Sequence, residues 1–207
     1  MANNDAPFGF QPFGNVLRAQ YYAVPTAPTI NVFPGDMVMC GLASLACTGG
    51  HGEMMIIEDG EIVPATPGDN FAILGAVLGC FDENMLPTPY IAATEVGDGT
   101  VAGYVLVADH PDQMFVAQED GDTAAIASAD IGLNFDIYSP ALSAGNTTTG
   151  RSKQEIDSNS HNTTVTIALK LYKMAYPNQD TVGSAGCRWV CAVNAAAHYY
   201  GQSVAAI

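Results

Sequence analysis

Asp109, His110 and Asp112 fall within four consecutive residues, Asp-His-Pro-Asp. An imidazole beside carboxylates is the smallest set of groups that can take and return a proton. No nucleophile motif accompanies it. The chain has no G-x-S-x-G, no H-E-x-x-H, no phosphate-binding loop and no G-x-G-x-x-G after a strand. The same four residues also carry turn chemistry: proline presets φ, and aspartates bond to nearby backbone N–H groups. The expectation is a solvent-exposed turn and no catalysis.

Metal chemistry has equally thin support. Cys47, His51 and Glu53 lie close in "CTGGHGE", but no second ligand pair follows at zinc spacing. Cys187 and Cys191 flank "RWV". On a strand they share a face about 13 Å apart, too far for a disulfide or one tetrahedral ion. With Cys40 and Cys80 the cysteines number five, an odd count at low density. Buried free thiols are expected. The turns "EDGE" (58–61) and "QEDGD" (118–122) lack the alternating oxygen spacing of an EF-hand. The four histidines, His51, His110, His161 and His198, are scattered. No cofactor and no metal are expected.

Several short strands would have to position these groups. "AQYYAV" reads as a first strand, and "TINVFPGDMVMCGL" as strand, Pro-Gly turn, strand. "FAILGAVLGCF" is apolar and broken by Gly75 and Gly79, which predicts a buried strand with a bulge or bend. "AGYVLVADHPDQMFVAQED" reads as a hairpin turning at Asp-His-Pro-Asp. "DTAAIASADIGL" is a short helix or a loop, and "LNFDIYS" a strand. In "VTIALKLYKM", Val165, Ile167, Leu169 and Leu171 face one way; Thr166, Lys170 and Tyr172 face the other. "CRWVCAV" places Trp189, Cys191 and Val193 on one face. About nine or ten short strands with no amphipathic helix predict an all-β fold, a single β-sandwich or barrel-like domain.

Two segments stand apart. From Ser143 to about Thr164 the chain is Thr-, Ser-, Asn- and Gly-rich, and it is expected to be a long surface loop between core strands. Residues 1–18 hold Pro7, Pro12 and three phenylalanines, Phe8, Phe10 and Phe13, with no periodicity. They read as an extended arm, mobile alone and ordered against a neighbour, before a β-rich domain over 19–207.

Charge narrows the function classes. The net charge is −15. Between Ala19 and Gly150 there are 17 Asp/Glu and no Lys or Arg; from Arg151 onward, five basic residues face three acidic ones. Nucleic acid and anionic membrane are disfavoured as partners, since both are recognised by Lys and Arg. The start shows no basic n-region and no apolar h-region, so export is not expected. No apolar run reaches the roughly 18 residues of a membrane helix. In that setting the sequons at Asn146 and Asn162 carry little weight.

The stretches "YYAVPTAPTINVFPGDMV", "AILGAVLGCFDEN", "YVLVADHPDQMFVAQED", "IGLNFDIYSPALSAGNTTTGRSKQEIDSNSHNTTVTIALKLYKMAYPNQDTVG" and "CRWVCAVNAAAHYYG" together resemble a family of tailed-phage virion proteins. These are capsid decoration, or cement, proteins. The resemblance runs in order over most of the chain and departs from the pattern at "GGHGEMMIIEDGE" and in the C-terminal tail. It implies no enzymatic activity and no cofactor. It implies a β-rich domain on the outer capsid surface of the virion, made in the host cytoplasm, that bridges neighbouring major capsid proteins. Phe8, Phe10 and Phe13 are then the expected capsid contacts, and a cyclic homo-oligomer, trimer ahead of dimer, the expected assembly. Two other readings fit the same fold: a tail or knob protein that binds host glycans through "HYYGQ", and a small hydrolase built on His110 or His51.

Overall fold

A computed structural model describes residues 3, 5–28, 30–40, 62–65, 73–99, 101–121, 124–138, 145–164 and 167–200. The fold is all-β, two antiparallel sheets packed face to face. The first sheet has the order β2-β7-β5-β3-β4, made of β2 (Ala19–Pro25), β7 (Val101–Ala108), β5 (Ile73–Phe81), β3 (Met37–Cys40) and β4 (Ile62–Pro64). A short β6 (Pro87–Thr88) pairs with the end of β5. The second sheet runs β1-β8-β14-β13-β9-β12. Its strands are β1 (Gln11–Pro12), β8 (Met114–Gln118), β14 (Arg188–Val193), β13 (Leu169–Met174), β9 (Asn134–Tyr138) and β12 (Glu155–Asn162). A small hairpin joins β10 (Gly145–Asn146) to β11 (Arg151–Ser152).

The main core lies between the sheets. Met37, Ile73 and Ala76 of the first sheet meet Phe115, Phe135, Leu171 and Trp189 of the second. The outer face of the first sheet is covered as well. Tyr22, Leu74, Val77, Val105 and Val107 pack there under Val32, Ile91, Tyr199 and Tyr200. Burial on both faces explains why β5 is apolar without alternation. Its bend falls as expected. The register shifts between Val77 and Gly79, and again where β5 meets β3. Gly75 sits at φ +150°, and a Cβ there would run into the Ala108 carbonyl. Only glycine lets these two backbones approach so closely.

Three sequence expectations are corrected. The Asp-His-Pro-Asp segment does not close a hairpin, because β7 belongs to the first sheet and β8 to the second. It carries the chain across the sandwich instead. Proline and aspartate suit a sharp change of direction, and that chemistry does not say which sheet the next strand joins.

The polar segment is not a surface loop. It contains β10, β11 and the eight-residue β12, which pairs with β9. Ser152, Gln154, Glu155, Ile156 and Ser158 are all buried. Gln154 accepts the Met37 N–H at 2.6 Å and donates to the Ala65 carbonyl at 2.9 Å. Its amide therefore supplies backbone partners to the first sheet and can be buried without loss. Asn146 Oδ1 accepts the Thr148 and Thr149 N–H groups, which sets the β10–β11 turn.

The arm is extended but belongs to the domain. β1 pairs with β8, Phe10 N–H donates to Gly35 O at 2.8 Å, and the Phe10 side chain is fully buried in the main core. The spacing of the three phenylalanines has no period because each meets a different surface.

Smaller expectations resolve cleanly. Of "DTAAIASADIGL", residues 124–133 are described and are loop with one 3-10 turn, Ser128–Asp130; Asp122 and Thr123 lie outside the described residues. β13 begins at Leu169, with Leu169 and Leu171 buried and Lys170 and Tyr172 exposed as the alternation requires. Val165 and Thr166 lie outside the described residues. Trp189, Cys191 and Val193 point into the main core together.

Candidate interaction surface

Asp109 and His110, singled out for chemistry, are tied into the structure. Asp109 is fully buried, contrary to the exposed turn expected of it. Its Oδ1 accepts Arg18 Nε at 2.8 Å and its Oδ2 accepts the Tyr22 hydroxyl at 2.5 Å. Arg18 also donates to the Asp109 carbonyl at 3.0 Å and lies 4.5 Å over the Tyr200 ring. Tyr22 and Tyr200 hydroxyls stand 3.1 Å apart. Burial and the neighbouring Asp109 push the Tyr22 pKa far up, so its hydroxyl stays a donor. His198, buried beside this cluster, is pushed down to about 4 by burial and is neutral. His110 Nδ1 accepts the Asp112 N–H at 3.1 Å, a bond internal to the turn.

This clamp pins the C-terminal segment against β2 where the chain crosses between sheets. Arg18, the sole cation in the first 150 residues, is its anchor. That isolation was the available signal: a lone cation in an acidic half-chain is the natural counter-ion for a buried carboxylate. Asp109→Asn keeps the shape and removes the charge. It is expected to cost about 2 kcal/mol, because Arg18 is partly solvated and recovers some hydration. Urea unfolding of the variant measures this; a change under about 0.5 kcal/mol would show the clamp to be idle.

A second acidic group lies along β8 and β12. Glu119 and Glu155 are buried, as is Gln118. Glu119 accepts the Ile126 N–H at 2.7 Å and the Cys187 N–H at 3.3 Å. Burial pushes it up to about 7 despite those donors. Glu155 is pushed up to about 8, by burial first and then by Asp5 and Asp120. The Gln118 amide donates to both Asp5, at 3.2 Å, and Glu155, at 3.3 Å. Gln118 and Glu119 of "QEDGD" are therefore interior, and Asp120 is half-buried. Asp122, the EDGE turn and Cys47, His51 and Glu53 lie outside the described residues. Among the described residues no group of three or more His, Cys, Asp or Glu is placed to hold a metal ion. Cys80, Cys187 and Cys191 are free and buried, with the last two thiols pushed up to about 12 by burial. They are inert in that state.

What faces outward on the arm is more informative. Phe8 lines a groove of about 380 Å³ with Gln11, Pro34, Thr149, Gly150 and Arg151. Among the described residues its lining has one guanidinium and no carboxylate, in a chain of net charge −15. Ser152 N–H donates to Pro34 O at 3.1 Å and fixes one wall to the other. Asp36, two residues after Pro34, accepts the Phe33 N–H at 2.8 Å and is buried, which pushes it up to about 7. Phe13 lies elsewhere, on the outer face of the second sheet. Its N–H donates to Met114 O at 2.8 Å, and Lys173 Nζ stands 5.0 Å over its ring.

The three expected contact residues thus part company. Phe10 is interior and cannot touch another molecule without unfolding the domain. Phe8 and Phe13 reach two separate surfaces. Tyr199 and Tyr200, the aromatics of "HYYGQ", are half-buried against the first sheet and the Arg18 clamp.

No protein-family model matches this chain, and no curated protein or solved structure matches it either.

Proposed function

We infer that the chain is a virion structural protein that binds the outside of an icosahedral phage capsid and cements neighbouring major capsid proteins. The observation that supports this best is the groove between Phe8 and Arg151. It joins an aromatic face, a proline and a guanidinium at the base of a strap whose next residues are anchored in the core. Such a site suits a protein side chain or chain segment, because a fixed aromatic and an arginine give large contact area at low entropic cost. Its anchorage to β1 and the Pro34 turn makes it rigid before binding, which limits the ordering cost of attachment. The resemblance of the sequence stretches to decoration proteins motivates the same reading. The glycan-binding alternative is weakened by the packing of Tyr199 and Tyr200. The hydrolase alternative is weakened at His110, whose neighbour Asp109 has both carboxylate oxygens committed.

Deleting residues 1–18 would remove Phe10 and is a poor test. The double variant Phe8→Ala/Arg151→Glu is better, since both side chains lie at the surface groove. It is expected to lower attachment to particles stripped of this protein by about tenfold or more, with unchanged thermal stability. Attachment equal to the unmodified protein would overturn the role of the groove.

A further inference from the structure

The β2–β7 strand pair ends in two exposed patches of opposite character. At one end, Phe13, Val16, Leu17 and Met114 are exposed apolar side chains. Leu17 is tied to this end by its N–H bond to Gln113 Oε1 at 2.9 Å. Alongside, the register places Met114, Ala192 and Lys170 in one row across the second sheet. Tyr172 is exposed at the β13 bulge next to Lys173. Among the described residues neither Lys170 nor Lys173 forms a salt bridge. Asp112, just before Gln113 and Met114, is an exposed carboxylate at this end, so the two lysines outnumber it two to one.

At the other end, Leu86 and Val96 are 61% and 56% exposed. Asp82, Glu83 and Glu95 surround them in sequence, and no salt bridge reaches these three among the described residues. This end is built firmly. Asp82 Oδ1 accepts the Asn84 and Leu86 N–H groups at 2.9 and 2.8 Å. Thr26, just past β2, donates to Val96 O at 3.0 Å, and the Ala27 N–H donates to Glu95 O at 2.7 Å. β2 therefore starts at the basic patch and finishes at the acidic one. Its seven residues span roughly 23 Å.

We propose that the acidic apolar end around Leu86 and Val96 of one copy docks on the basic apolar face around Phe13 and Met114 of a second copy, giving a head-to-tail ring. The occupant is a second copy because both halves of the match are on this chain. Basic patch on basic patch would bring four lysines together, and acidic on acidic would gather six carboxylates. Only the unlike pairing buries both apolar centres with opposite charges around them. A heterologous contact of this kind closes into a cyclic oligomer when its rotation closes. The inference goes beyond the capsid reading above and does not require attachment to a capsid.

Sedimentation of the full-length chain at fixed salt tests it. The unmodified protein is expected to form a closed oligomer. Lys170→Glu/Lys173→Glu should weaken association by about tenfold or more, as should Glu83→Lys/Glu95→Lys. The chain carrying all four changes has both patches reversed and should recover to within about threefold of the unmodified protein. Leu86→Asp and Met114→Asp, each alone, should also dissociate the ring, and these variants stand in if a charge reversal fails to fold. A monomer at every concentration, or charge-reversed variants that assemble as the unmodified protein does, would overturn the proposal. So would a folded four-fold variant that stays dissociated. Rings that do not attach to particles would overturn the decoration reading alone; monomers that attach would overturn this one alone.

Discussion

Replacing Phe10 by alanine is expected to lower the free energy of unfolding by about 3–5 kcal/mol, the cost of emptying a fully buried aromatic site. Phe10 is 0% exposed and sits in the core between the sheets. The strap that carries it is locked at both sides. Gly9 lies at φ +74° with its α-carbon against the Gly35 carbonyl and Ser152, where any Cβ would collide. Pro12 pairs with Phe115 across β1 and β8. Phe8→Ala, at the groove, should change stability by under about 1 kcal/mol. Chemical unfolding of the two variants separates the cases. Equal, small effects would mean that the N-terminal strap is an appendage in solution and not part of the domain.

Stability is expected to fall by about 3 kcal/mol between pH 6.5 and pH 8.5, with Tm falling by roughly 10 °C. The cause is three buried carboxyl groups. Asp36 and Glu119 are each pushed up to about 7 and Glu155 to about 8, burial being the largest cause for each. Their unfolded values lie near 4, so the folded state holds more protons across this window. Raising the pH then favours the unfolded chain. The stabilising contribution is complete below about pH 4 and is lost as pH climbs through 7 and 8. His198 acts in the opposite sense, since burial pushes it down to about 4. Its effect is finished only by about pH 7.5, once the unfolded imidazole is neutral as well, and over this window it offsets only about 0.4 kcal/mol of the fall. The net charge of −15 adds self-repulsion of the same sign as the carboxyl effect. Thermal unfolding across this pH range, repeated on Glu119→Gln/Glu155→Gln, checks the assignment. The double variant should lose more than half of the slope; a slope unchanged in the variant would place the titration elsewhere.

Much of the fold was legible from residue pattern, and the reasons differ by element. The bend in β5 showed because Gly75 and Gly79 interrupt an apolar run, and the structure puts a register shift there. The faces of β13 showed because Lys170 and Tyr172 alternate with Leu169 and Leu171. The crossing at Asp-His-Pro-Asp did not show, because the chemistry of a turn is local and the choice of sheet is not. β12 was hidden for another reason. Glu155, Ser158 and Gln154 can be buried only because specific backbone and amide partners await them, and those partners lie far along the chain. The candidate surfaces were half legible. The three phenylalanines drew attention to the strap, but which of its rings is interior depends on the Gly35 turn and on β8. The acidic end around Leu86 and Val96 carried no sequence signal beyond two exposed apolar residues among carboxylates.

The reading as a capsid decoration protein is tested most directly by counting copies and locating them on the particle. Cryo-electron microscopy of virions containing this chain, with quantitative protein stoichiometry, gives both. On the order of hundreds of copies are expected at symmetry-related positions on the outer shell, with the Phe8–Arg151 groove turned toward the major capsid protein. A handful of copies confined to the tail, or no copies on the particle, would contradict it.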